Sequence, residues 1–171
     1  RRDRGREALR ARDAPFEATL ELSNGRPGRW NEGRLPLRRG QAVLRAALAQ
    51  PDRVQIESLS LDMADAAGPA GRWTTAGTWQ GSRLVLRSTL QDLQPQRLDG
   101  RAASMRLAGS LDSELSGLPS PAPQPGAVAE PWRVALQARL DGRLDAAPVP
   151  VRLVLDLQAA ADRIELRALQ A

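Results

Sequence analysis

The sequence predicts an all-β chain: an antiparallel, curved sheet of successive hairpins that leaves one face open as a groove, with a closed β-sandwich as the alternative. Three observations point there. Apolar and polar residues alternate with period two along most of the chain, the mark of strands with one greasy and one wet face. Turn dipeptides such as Asn24-Gly25 and Gly81-Ser82 punctuate that alternation. No helical periodicity of any length competes with it.

The elements follow in order. Residues 1–12 hold six arginines and read as a flexible or briefly helical end. A first block of strands occupies 13–117. In Phe16–Ser23 the residues Phe16, Ala18, Leu20 and Leu22 share one face and Glu17, Thr19, Glu21 and Ser23 the other. Gly40–Gln50 is rich in helix formers, but Ala42, Leu44, Ala46 and Leu48 alternate, and Pro51-Asp52 reads as the hairpin turn into Val54 and Ile56. The phase slips between Ile56 and Leu59, which asks for a bulge. Arg72–Trp79 places Trp73, Thr75, Gly77 and Trp79 together, and Arg83–Leu90 does the same for Leu84, Leu86, Ser88 and Leu90. Leu90–Leu98, with Pro95, reads as a short helical connector. Ala103–Leu111 aligns Met105, Leu107, Gly109 and Leu111.

Residues 118–131 form a Pro-rich linker or loop, because prolines at 119, 121, 123, 125 and 131 forbid a central strand. A second block of the same sheet, 132–171, begins with Trp132–Leu140, where Val134, Leu136, Ala138 and Leu140 alternate against Arg133, Gln137 and Arg139. Val149–Leu157 repeats the pattern with Val151, Leu153, Leu155 and Leu157. Trp30, Trp73, Trp79 and Trp132 read as structural anchors at strand ends or rims.

Missing residue types exclude much chemistry. The chain has no His, Cys, Tyr or Lys. Nucleophilic triads, thiolate chemistry, nitrogen or sulfur zinc ligands, Schiff bases and Walker-type phosphate loops are therefore out of reach. Carboxylate pairs remain, the nearest being Asp62 with Asp65 and Asp92 with Asp99, and both read as solvated turn residues. No catalytic, metal or cofactor site is assigned, and the expectation is a chain that is not an enzyme.

A net charge of +5 invites a nucleic-acid reading. Beyond Arg12, however, acids and arginines are interleaved, and one Phe with four Trp is a poor supply of stacking platforms. Nucleic acid is not the expected partner. The chain begins at Arg1 and ends on an apolar run, which reads as a piece of a longer protein, and no stretch has the roughly 18 apolar residues of a membrane span. The inner face is aliphatic, which suits acyl chains as well as a packed core. The candidate lining comprises Phe16, Leu20, Leu22 and Leu44 in the first strands, Leu84, Leu86, Met105 and Leu107 in the middle, and Val134, Leu136, Leu140, Leu153, Leu155 and Leu157 in the last block.

The string Trp30-Asn31-Glu32-Gly33-Arg34-Leu35-Pro36-Leu37, the alternating run from Gln41, and Gly77-Thr78-Trp79 with the strand after it resemble the β-repeat region of the TamB (translocation and assembly module) family. Arg101–Gly117 and Trp132–Ala171 are similar in style, so the resemblance spans nearly the whole chain, and Trp-x-x-Gly-Arg-Leu-Pro-Leu is its most specific element. That family belongs to the AsmA-like repeating β-groove proteins. The resemblance implies a periplasmic β-taco held at the inner membrane by an N-terminal helix, moving phospholipid to the outer membrane and assisting outer-membrane assembly with a TamA-like barrel. Phospholipid acyl chains would be the partner of this stretch, and the barrel would be met through parts of the parent outside it. A chaperone-like module for outer-membrane strands and a structural sandwich spacer are the alternatives.

Overall fold

The computed structural model describes residues 15–122, 131–147 and 149–170. The Arg-rich start and the centre of the Pro-rich linker lie outside the described residues. The strands are β1 (Pro15–Ser23), β2 (Leu37–Ala47), β3 (Gln50–Asp65), β4 (Gly68–Gln80), β5 (Arg83–Leu93), β6 (Met105–Ser116), β7 (Arg133–Leu144), β8 (Pro150–Ala160) and β9 (Arg163–Gln170). All nine lie in one sheet in chain order, each antiparallel to the next. The sheet is open, with β1 and β9 at its edges, so the described residues form the antiparallel groove-type sheet rather than a two-sheet sandwich.

Local chemistry explains the joints. The bulge required by the Ile56/Leu59 phase slip is present: β3 shifts register against β4 between those two residues, and β2 shifts against β3 between Val43 and Leu44. β3 therefore continues as one long strand while its apolar residues stay on one face. The β2–β3 turn falls at Leu48-Ala49, earlier than Pro51-Asp52. Pro51 instead sits inside a register shift between the Ala46↔Val54 and Ala47↔Gln50 pairs, where a residue without an N–H leaves no ladder bond unmade. Gly81-Ser82 turns the chain as the dipeptide suggests, and Pro95–Leu98 forms the short connector helix α1. The linker divides the chain in sequence only, since β6 and β7 pair along their length from Met105↔Leu144 to Ser116↔Arg133.

One end of the sheet is closed by its own loops. After β1 the chain makes a 3-10 turn at Trp30–Glu32, ended by Gly33 in the left-handed region (φ 70°) that glycine adopts without strain. Asn31 Oδ1 accepts the Gly100 N–H at 2.8 Å, tying this loop to the connector after α1. Beneath them Pro36 is fully buried, and Leu37, Met63, Ala70 and Leu98 pack together with Leu61 and Leu93. Of the Trp-x-x-Gly-Arg-Leu-Pro-Leu string, Pro36 and Leu37 are buried at this end, while Trp30 and Leu35 stay exposed.

Asp65 closes the same end and corrects the solvated-turn expectation. It ends β3 at 5% exposure and accepts from Arg29 at 3.2 Å, Arg97 at 3.2 Å and the Ala67 N–H at 2.9 Å. Two guanidiniums and a backbone donor leave no lone pair of the buried carboxylate wasted. Asp62 also lies within β3, on the charged face, where Arg72 holds it at 2.7 Å.

Candidate functional site

Residues directly opposite each other in a sheet share a face, so the strand registers define the candidate site. Near one end, Phe16, Ala46, Val54, Trp79, Leu84, Leu115, Val134, Ala159 and Ile164 fall in one row across nine strands. Next comes Ala18, Leu44, Ile56, Gly77, Leu86, Ser113, Leu136, Leu157 and Leu166, and then Leu20, Ala42, Leu59, Thr75, Ser88, Leu111, Ala138 and Leu155. Towards the plugged end follow Leu22, Gly40, Leu61, Trp73, Leu90, Gly109, Leu140 and Leu153. At about 4.8 Å per strand, this face runs roughly 38 Å along the sheet without a charged side chain in those rows.

All fourteen candidate lining residues lie on that face, but they differ in environment. Leu107 and Leu140 are buried in a cluster with Leu90, and Met105 and Leu153 pack against it. Leu44, Leu84, Leu86, Val134, Leu136, Leu155 and Leu157 are half-buried. Phe16, Leu20 and Leu22 are exposed, at 65%, 58% and 53%. The plugged flank therefore closes on itself as core, while the rows nearer the other end form an accessible track. Alternation marks the face but not this gradient, because Leu140 and Leu136 obey the same period.

Glycines show how a single layer can bury side chains. A Cβ on Gly77 would collide with the Val85 carbonyl oxygen, one on Gly109 with that of Arg139, and one on Gly142 with that of Arg106. Each glycine is on the apolar face, and each obstacle is the backbone of the adjacent strand. The sheet is creased towards its apolar side at the β4–β5 and β6–β7 seams, and only a residue without a side chain fits the crease. Sequence reading placed Gly77 and Gly109 on this face but gave them no role. Their signal is a glycine at an inward position of an otherwise aliphatic strand.

A polar step interrupts the floor. Thr75 and Ser88, at 5% and 4% exposure, are directly opposite each other and hydrogen-bonded through their hydroxyls, and Trp73 Nε1 donates to Thr75 Oγ1 at 2.9 Å. Trp73 lies inside β4 on the apolar face, not at a strand end, whereas Trp79 sits on the same face one residue from the end of β4; Trp30 and Trp132 are the exposed rim residues.

The opposite face is held by cross-strand arginine–carboxylate pairs. Arg45 bridges Glu17 at 2.9 Å and Glu57 at 3.0 Å, Arg83 grips Glu114 through two bonds of 2.7 Å, and Arg152 meets Asp141 at 2.8 Å. The hydrogen bonds from Arg83 hold the Glu114 carboxyl below its ordinary range, and the bond to Glu17 raises Arg45. A hollow of about 780 Å³ at one end of β6–β9 mixes Arg133 and Arg163 with Glu114, Asp162 and Glu165. Such alternating charge suits solvent better than an anion. Asp92 meets Arg106 at 3.4 Å and Asp99 meets Arg101 at 2.6 Å, so neither sequence-proposed carboxylate pair converges as two free acids.

No family model, curated protein or solved structure matches this chain.

Proposed function

We propose that the chain is one length of a hydrophobic β-groove that carries phospholipid acyl chains between the inner and outer membranes of a Gram-negative envelope. On this reading it is a periplasmic, non-catalytic stretch of a TamB-like, AsmA-like protein that serves outer-membrane assembly, and a TamA-like barrel would be met by other parts of the parent. The observation that carries the proposal is the aliphatic face shared by all nine strands with no second layer over it among the described residues. Contiguous apolar surface beyond a few hundred Å² marks a binding surface. Sheltering an acyl chain is worth about 0.8 kcal/mol per methylene, so a sixteen-carbon tail supplies roughly 12 kcal/mol of gross burial without one polar contact. A conduit needs a lining and a slope in concentration, and no reacting group.

The test compares two neighbouring residues of β8. Leu155 lies on the apolar face opposite Ala138, and Val154 lies on the charged face opposite Arg139. Leu155→Arg is expected to stay folded, since the half-buried position lets a guanidinium reach water along the track, and to lose co-purified phospholipid in native mass spectrometry. Val154→Arg retains the lipid. Equal lipid content in the two variants, or none in the parent chain, refutes the proposal.

A further inference from the structure

The Trp30–Leu37 string divides into a packed half and a presented half. Pro36 and Leu37 are buried, whereas Trp30 and Leu35 are 55% and 48% exposed. The loop that carries them is pinned. The Gly28 N–H donates to the Leu35 carbonyl at 3.3 Å, the Arg34 N–H to the Arg29 carbonyl at 3.1 Å, and the Gly33 N–H closes the tip onto the Trp30 carbonyl at 2.9 Å. Arg29 is held by Asp65 at the end of β3, and Asn31 accepts the Gly100 N–H in the connector between β5 and β6. These bonds draw the loop inward over the ends of β3 to β5, away from the outer edge of β1. A single exposed apolar residue needs no explanation, but a tryptophan and a leucine presented on one pinned loop form a contact surface.

The charge around them is one-sided. Four arginines, Arg26, Arg29, Arg34 and Arg97, stand against two acids, Glu32 and Asp65. Asp65 is shared by Arg29 and Arg97, and among the described residues Arg26 and Arg34 have no carboxylate within ion-pair distance. The exposed arginines of the inner strands are placed differently, since Arg83 meets Glu114 and Arg152 meets Asp141 across their seams. Two apolar side chains cannot fill the roughly 800 Å² a side of a stable protein interface. A lipid bilayer asks for less: a tryptophan at headgroup level, an aliphatic tip beside it and arginines at the phosphates.

We infer that this loop docks on the surface of an anionic phospholipid bilayer, with Trp30 and Leu35 entering the interfacial layer and Arg26 and Arg34 lying at its phosphates. The inference does not depend on what occupies the apolar face of the sheet.

Co-sedimentation of the chain with vesicles tests it. At low ionic strength, vesicles of equal parts phosphatidylcholine and phosphatidylglycerol should bind the chain about tenfold more tightly than vesicles of phosphatidylcholine alone. Trp30→Ser with Leu35→Ser, and Arg26→Gln with Arg34→Gln, should each weaken binding to the mixed vesicles by about tenfold. Leu48→Ser with Arg53→Gln, which alters an exposed leucine and an exposed arginine at the opposite end of the sheet, should bind as the parent does. All of these side chains are exposed, so circular dichroism and melting should match the parent. Insertion is read separately. The chain has no cysteine, so Leu35→Cys and Leu48→Cys each take one environment-sensitive dye, and only the dye at position 35 should brighten on the mixed vesicles. Absent binding to the mixed vesicles, equal binding to both vesicle types, a loop variant that binds like the parent, or equal brightening at positions 35 and 48 overturns the inference. Self-association without vesicles that the same loop substitutions abolish would assign the loop to a protein contact and overturn it as well.

Discussion

Replacing Gly142 by alanine tests the crease that makes one side of this sheet concave. Gly142 lies opposite Leu107, and an added Cβ would meet the Arg106 carbonyl oxygen far inside contact distance, with the Arg106 carbonyl carbon and Leu107 Cδ2 each at 2.9 Å. The oxygen is backbone, so no rotamer change relieves the clash; the β6–β7 seam has to open. Overpacking of this kind costs about 1–3 kcal/mol, and each ladder hydrogen bond given up adds about 1 kcal/mol, for a total near 3 kcal/mol. In a chain of this size each kcal/mol moves the midpoint by about 2–4 °C, so Gly142→Ala should melt roughly 6–12 °C below the parent. Thermal unfolding followed by circular dichroism reads it. Gly25→Ala is the control, because nothing lies within 4 Å of its added Cβ, and it should stay within about 2 °C of the parent. If both variants melt with the parent, the seam is not creased and the concavity loses its physical basis.

Two other outcomes follow from particular groups. Thr75→Val removes the partner of Ser88 and of Trp73 Nε1 together and should cost about 1–3 kcal/mol in urea unfolding; adding Ser88→Ala removes the orphaned hydroxyl, so the double variant should be no less stable than the single, and strict additivity would contradict the buried pair. The Asp99 carboxyl is held down to about 2, from 3.8, by the side-chain hydrogen bond from Arg101 and then by the Arg101 backbone N–H. Because the folded value is depressed, whatever stability this group contributes is full above about pH 4 and is lost as pH falls through about 2. Carboxyl NMR titration should show that midpoint, and Arg101→Ala should return it towards the ordinary range; an unshifted Asp99 in the parent chain would refute the pairing.

Much of the fold was legible because period two is a direct consequence of pleating. The slip between Ile56 and Leu59 was enough to place a bulge, and Gly81-Ser82 and Pro95 placed a turn and a connector. The face membership of Phe16, Leu86, Leu136 and Leu155 followed from the same alternation. Depth along the face did not, since Leu107 and Leu140 are buried by Leu90, Trp73, Val151 and other side chains of neighbouring strands that lie far apart in sequence. Asp65 was misread for a similar reason. Its partners Arg29 and Arg97 come from two loops that only the folded sheet brings together. The Pro51-Asp52 turn failed because a proline can hide in a bulge as readily as in a hairpin loop.

If lipid occupies the apolar face and no other surface, as proposed, site-specific photo-crosslinking measures it directly. Leu86 and Arg87 are adjacent in β5 and point to opposite faces, Leu86 beside Gly77 and Ser113 and Arg87 beside Ala76 and Asp112. A photoreactive phenylalanine analogue is placed at each position in turn in the chain and irradiated in cells. Phospholipid adducts are expected at position 86 and none at position 87. Equal labelling at both positions, or adducts at 87 alone, would contradict it.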